Sequence, residues 1–113
     1  MIKTSMRMEQ ASKILKLMGD KNRLTMLKLL ESQSLCVCEF VELFDISQPA
    51  ISQHLRKLKD ISIIKEDKRG QWVHYSINTE NEYYPFVKAI LDQLPNEREK
   101  LKKLEKTDVH CDM

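Results

Sequence analysis

From Met8 to Met18 apolar residues recur at spacings of three and four, so Met8, Ala11, Ile14, Leu15 and Met18 share one face of a predicted helix. Gly19 ends that segment. Asp20 stands where it can cap a second helix, with Leu24, Met26, Leu27 and Leu30 as its apolar stripe and Lys21, Arg23 and Lys28 on its wet side, stopping near Glu31 to Gln33. A shorter third helix is expected to begin around Leu35 to Cys38, because Phe40, Val41 and Phe44 restore the helical period before Asp45-Ile46-Ser47 breaks it. Ser47 is a good N-cap and Pro49 is tolerated in a first turn, so a fourth helix should run from Gln48 to about Lys59 and bury Ile51, Leu55 and Leu58. Two short helices joined by a tight turn form a helix-turn-helix pattern over residues 35–59.

After Asp60 the period changes from 3.6 to 2. Ser62 to Asp67 and Gln71 to Ile77 read as two strands around a Lys68-Arg69-Gly70 turn, with Val73, Tyr75 and Ile77 alternating against Trp72, His74 and Ser76. This hairpin, residues 62–77, has a cationic tip, and His74 is expected at its surface or facing DNA. Helix returns with Tyr83, Phe86, Val87, Ile90, Leu91 and Leu94, starting or bending near Pro85 and interrupted by Pro95. Residues 96–106 keep only Leu101 and Leu104 apolar, which predicts a solvated or frayed helix, and residues 107–113 read as a flexible tail. The fold class is therefore mainly α with a small β-hairpin: α-α-α-α-β-β-α plus a short C-terminal helix, a winged helix-turn-helix.

A length of 113 residues with only two glycines and three prolines suits one compact, mostly helical domain and excludes collagen-like or low-complexity chains. No apolar run approaches the roughly 18 residues of a membrane span, and the N-terminus lacks the apolar core of a secretory signal. The expectation is a cytoplasmic protein with reduced thiols and no membrane partner. A net charge of +2 is too mild to name a partner, so its distribution has to.

Residues 47–59 carry Arg56, Lys57 and Lys59 and no acid. Their outward face offers Gln48, Ser52, Gln53 and Arg56; Gln pairs bidentately with adenine and Arg with guanine in the major groove, and Ser permits close approach. His54 is a further candidate for a base or phosphate. Lys57, Lys59, Lys68 and Arg69 are phosphate-contact candidates that position the module without reading sequence. One recognition helix reads only a few base pairs, so useful specificity calls for a homodimer on an inverted-repeat stretch of double-stranded DNA.

Cys36-Val37-Cys38 and Cys111 make an odd number of thiols, and metal or metalloid binding is a candidate role. On an ideal helix residues two apart stand 200° apart, with Cβ atoms roughly 7 Å from each other, whereas two thiolates on one zinc are only about 3.8 Å apart. Either both cysteines precede the first full turn, or ligand binding unwinds it. A trivalent metalloid prefers three soft thiolates, for which Cys111 is the remaining source; His110 or Asp108 in its place would favour zinc or cadmium.

The strings Leu35-Cys36-Val37-Cys38-Glu39-Phe40, Ser47-Gln48-Pro49-Ala50-Ile51-Ser52-Gln53-His54-Leu55 and Arg69-Gly70-Gln71-Trp72-Val73-His74-Tyr75-Ser76-Ile77 together resemble the ArsR/SmtB family of metal-sensing repressors, and most of all its arsenite-responsive branch. The resemblance runs from about residue 8 to residue 94. It implies a dimeric winged helix that represses a metal or metalloid resistance operon and leaves the DNA when As(III) or Sb(III), or alternatively Cd(II), Zn(II) or Pb(II), binds. It also implies a dimer interface from residues around 6–18 and 83–94. Some relatives carry a third cysteine three residues after the second, where this chain has Val41, and residues 80–94 lack the histidines of the family's other metal site.

A thiol-redox regulator, with Cys36 or Cys38 oxidised to a sulfenic acid and Cys111 resolving it, is the alternative within DNA binding. An arsenate or disulfide reductase is disfavoured, because the chain has neither a phosphate-binding loop nor an alternating βαβ pattern.

Overall fold

The computed structural model describes residues 7–105. In chain order the elements are α1 (Met8–Met18), α2 (Lys21–Ser32), β1 (Leu35–Cys36), α3 (Val37–Leu43), α4 (Gln48–Asp60), β2 (Ile64–Arg69), β3 (Trp72–Ile77), α5 (Tyr84–Leu91) and α6 (Arg98–Glu105). Asp108, His110 and Cys111 lie outside the described residues.

Local chemistry sets the helix starts. Asp20 Oδ1 accepts the Arg23 backbone N–H at 3.1 Å, and Ser47 Oγ accepts that of Ala50 at 3.3 Å, with Pro49 in the first turn of α4. Lys57 and Lys59 occupy the last turn of α4, where they complement the helix dipole. The core forms where α2, α3, α4, the sheet and α5 meet: Met26, Leu27, Leu29, Phe40, Ile51, Leu55, Leu58, Val87 and Leu91 are fully buried. Lys28, expected on the wet side of α2, is half-buried and donates through Nζ to the Leu91 carbonyl at 2.8 Å, closing the C-terminus of α5. Among the described residues no helix is long and apolar enough to cross a membrane.

The third helix starts at Val37, within the expected range, and what precedes it is a strand that the sequence pattern does not predict. Leu35 and Cys36 are extended and pair antiparallel with Tyr75 and His74, so the hairpin becomes a three-stranded sheet in the order β1-β3-β2. Two residues are too few to show a period of 2, and their extension depends on a distant strand. The hairpin turn is also tighter than expected: Arg69 pairs with Trp72 across Gly70-Gln71, and Gly70 takes a φ of +64°, a left-handed value favoured by glycine.

The α4–β2 junction is held by two asparagines. Ser62 adopts φ +61°, and its carbonyl accepts Asn78 Nδ2 at 3.0 Å and Asn81 Nδ2 at 2.8 Å. These bonds tie the residue before β2 to the segment that follows β3. α6 packs against α3, with Leu101 and Leu104 half-buried against the core and the Lys100 ammonium 5.6 Å from the Phe44 ring centroid. It is a docked helix rather than a merely solvated one.

Candidate functional site

The pattern of α4 divides it into two faces. Ile51, Leu55 and Leu58 anchor the inner face, which leaves Gln48, Ser52, Gln53, Arg56 and Lys57 exposed on the outer one. The site residues expected on this helix are thus accessible together, with one exception. His54 is half-buried, and its Nδ1 lies 2.9 Å from Nη1 of Arg23 on α2. Arg23, expected in water, also donates through Nε to the Leu17 carbonyl, tying the end of α1 to α4. Burial lowers the His54 pKa, and the Arg23 and Lys57 charges push the same way against the opposing pull of Asp20. Burial acts to raise the Asp20 pKa, but it lies below its ordinary value because the Arg23 backbone N–H and the His54 and Arg23 charges outweigh that effect.

Lys68 and Arg69 are exposed at the wing tip. Arg69 Nε bonds Asp67 Oδ2 at 3.0 Å, and Lys59 Nζ pairs with Glu66 Oε1 at 3.3 Å, joining α4 to β2. Exposed pairs of this kind contribute about 0 to 1 kcal/mol, so a DNA phosphate can compete for either cation.

The cysteine pair sits where β1 becomes α3. Cys36 is the N-cap residue with an extended backbone, φ −103° and ψ 171°, and Cys38 lies in the first turn. The Cys36 backbone N–H donates to Glu39 Oε1 at 2.9 Å while its sulfur accepts the Glu39 backbone N–H, a reciprocal cap that orients the side chain. The two sulfurs are 3.0 Å apart. Extended backbone at Cys36 brings together what an ideal helix would hold apart, so unwinding is not required.

Cys36, Val37 and Cys38 line a groove of about 360 Å³ with Gln48, Trp72 and Val73, which joins the cysteine pair to the start of α4 and to the wing. His74 corrects the expectation of a surface residue. It is only 6% exposed, it faces Cys36 across the β1–β3 ladder, and neither ring nitrogen has a hydrogen-bond partner among the described residues. Strand alternation placed it outward; the added strand β1 sets the buried Cys36 beside it as its cross-strand partner. No group of three or more His, Cys, Asp or Glu side chains able to hold a metal ion exists among the described residues.

Residues 20–66, from the cap of α2 into β2, match the family described as bacterial regulatory protein, arsR family. An arsenical resistance operon repressor of Staphylococcus xylosus is 34% identical over 84 residues, covering 74% of this chain and 79% of that protein. The chain belongs to the arsR family. An uncharacterised helix-turn-helix transcriptional regulator of Methanocaldococcus jannaschii is 46% identical over 70 residues, 61% of this chain and 79% of its own length. The structure of reduced HlyU from Vibrio cholerae superposes with a TM-score of 0.64 at 32% identity, covering 74% of this chain and 83% of that one.

As an arsR-family protein the chain is a DNA-binding transcriptional regulator and not an enzyme. The winged helix-turn-helix and its small antiparallel hairpin are those of the family's structures. Sequence reasoning missed Arg23 and His74 as neighbours of the site, because both positions acquire their partners through tertiary pairing. The groove beside Cys36 was equally invisible, since its walls come from residues 36–38, 48 and 72–73.

Proposed function

We propose that this chain is a cytoplasmic repressor of a metalloid resistance operon. It binds an inverted-repeat operator as a homodimer and leaves it when As(III) or Sb(III) bonds to Cys36, Cys38 and Cys111. The observation that carries this reading is the convergence of the Cys36 and Cys38 sulfurs to 3.0 Å in a groove that also includes Gln48 of α4. Arsenous acid exchanges its three hydroxyls for three thiolates; three S–H and three As–O bonds break, three As–S and three O–H bonds form, and no redox change occurs.

Cys36 is at once a β1 residue paired with the wing and the N-cap of α3. A shift of its sulfur on bonding would move the wing and the helix-turn-helix together, spoiling the fit of Gln48, Ser52, Gln53 and Arg56 to the major groove. For the dimer, α1 supplies Met8 and Leu15, which are 84% and 49% exposed, and α5 the second surface.

Fluorescence anisotropy of the protein on its own promoter, titrated with As(III), Sb(III), Cd(II) and Zn(II), tests the proposal. Release by As(III) or Sb(III), abolished by Cys36→Ser or Cys38→Ser and weakened by Cys111→Ser, is the expected result. Release by Cd(II) or Zn(II) alone would replace it with a mixed site using Asp108 or His110, and release only by oxidant with a redox regulator.

A further inference from the structure

We infer that Asn81 is a positioning residue that sets the half-site spacing this regulator accepts, by fixing helix α5 relative to helix α4. This rests on the homodimer reading given above, in which α1 and α5 supply the surface between protomers. The Asn81 amide joins the end of one helix to the start of the other. Nδ2 donates to the Ser62 carbonyl at 2.8 Å and at 3.3 Å to that of Ile61, the C-cap residue of α4. Oδ1 accepts the backbone N–H of Tyr83, the N-cap residue of α5, at 2.6 Å. At this size only an amide presents a donor atom on one side and an acceptor atom on the other. Flipped, it would set its oxygen against two carbonyls and its nitrogen against an N–H.

Helices α4 and α5 each pack against α2 rather than chiefly against one another, so their relative angle depends on what joins their ends. At its far end α5 is fixed by Lys28 Nζ on the Leu91 carbonyl at 2.8 Å, and along its length by buried Val87 and Leu91. Tyr83 also lines a cleft of about 210 Å³ with Gln10, Lys13 and Ile14 of α1 and with Asp60 and Ile61. Both helices assigned to the protomer interface thus meet the end of α4 at this junction. The lever arm makes a small angle count. In a two-fold dimer α4 sits about 17 Å from the axis, half of the ~34 Å between half-site centres, so a rotation of about 10° displaces it by about 3 Å. That is close to the ~3.4 Å step between base pairs. Asn81 therefore acts on which spacing fits, while Gln53 and Arg56 act on which bases are read.

The test uses the full chain and fluorescently labelled duplexes built on its own promoter: the operator, the operator with one base pair added or removed between half-sites, and a single half-site. The parent chain is expected to prefer the native spacing by roughly ten-fold or more, since a misfit has to be met by deforming the DNA. Asn81→Asp keeps the acceptor for Tyr83 and loses the donor to the end of α4. It should reduce the spacing preference by roughly three- to ten-fold, the worth of one or two hydrogen bonds, and change half-site affinity by less than about two-fold. Asn81→Ala, which removes both sides of the bridge without adding a charge, should act in the same direction. Asn78→Ala removes the neighbouring bond to Ser62 and nothing that reaches α5, so it should leave the preference at the parent value. A parent chain indifferent to spacing overturns the homodimer reading and the inference with it. A parent that discriminates overturns the inference alone if both Asn81 variants discriminate as well as it does, if Asn78→Ala flattens the preference equally, or if both Asn81 variants lose half-site binding to the same extent as operator binding.

Discussion

Arg23 on α2 donates its Nη1 hydrogen to Nδ1 of His54 on α4, across 2.9 Å. A guanidinium cannot accept, so Nδ1 is the unprotonated nitrogen and the imidazole is neutral with its hydrogen on Nε2. Helix α4 is thereby pinned to α2 by a contact that protonation would break.

The pH dependence follows from the lowered His54 pKa. Unfolded, the side chain takes a proton near pH 6.5; folded, it does so at a lower pH. Between those values the unfolded state binds more protons, so stability rises with pH up to about 6.5 and falls as pH drops below it. Urea midpoints measured from roughly pH 5 to pH 8 should show this slope, and His54→Gln should remove the His54 share of it.

Base readout is expected from the exposed polar face of α4. Gln53→Ala or Arg56→Ala should lower specific operator affinity by about 1 to 3 kcal/mol, with nonspecific DNA affected less. A gel-shift titration at fixed salt checks this, and unchanged operator affinity would remove the residue from the readout.

Phosphate contacts should behave differently. Lys57→Ala or Lys68→Ala should weaken binding by a similar factor on all sequences and reduce the slope of log affinity against log salt by about one. Anisotropy titrations on operator and scrambled duplexes across a salt series measure both.

Ser62 holds a left-handed backbone at φ +61°. Such a conformation costs a non-glycine residue about 1 to 2 kcal/mol, part of which glycine's greater freedom in the unfolded chain cancels. Ser62→Gly should therefore raise stability by about 0.5 to 1 kcal/mol, read as a higher urea midpoint, with operator affinity unchanged because the carbonyl that accepts Asn78 and Asn81 is retained.

Phe40 is fully buried and its ring centroid lies 6.1 Å from that of Phe44, at an interplanar angle of 51°. Phe40→Ala should cost about 3 to 5 kcal/mol through lost contacts and the cavity left beneath α3. Denaturation in urea at neutral pH is the measurement.

The helices were legible in the chain because each buries one face, and spacings of three and four record that face directly. Asp20 and Ser47 announced their helices because a cap is a contact with a residue three positions on. The outer face of α4 could be read for the same reason, as the complement of Ile51, Leu55 and Leu58. Tertiary structure alone decided what depends on residues distant in sequence. Strand β1 exists because Leu35 and Cys36 meet Tyr75 and His74, and that pairing extends the backbone at Cys36 and brings its sulfur beside that of Cys38. Arg23 and His54, 31 positions apart, meet only when α2 packs on α4. Hydrogen-bond partners of this range leave no period behind, whereas a buried helical face does.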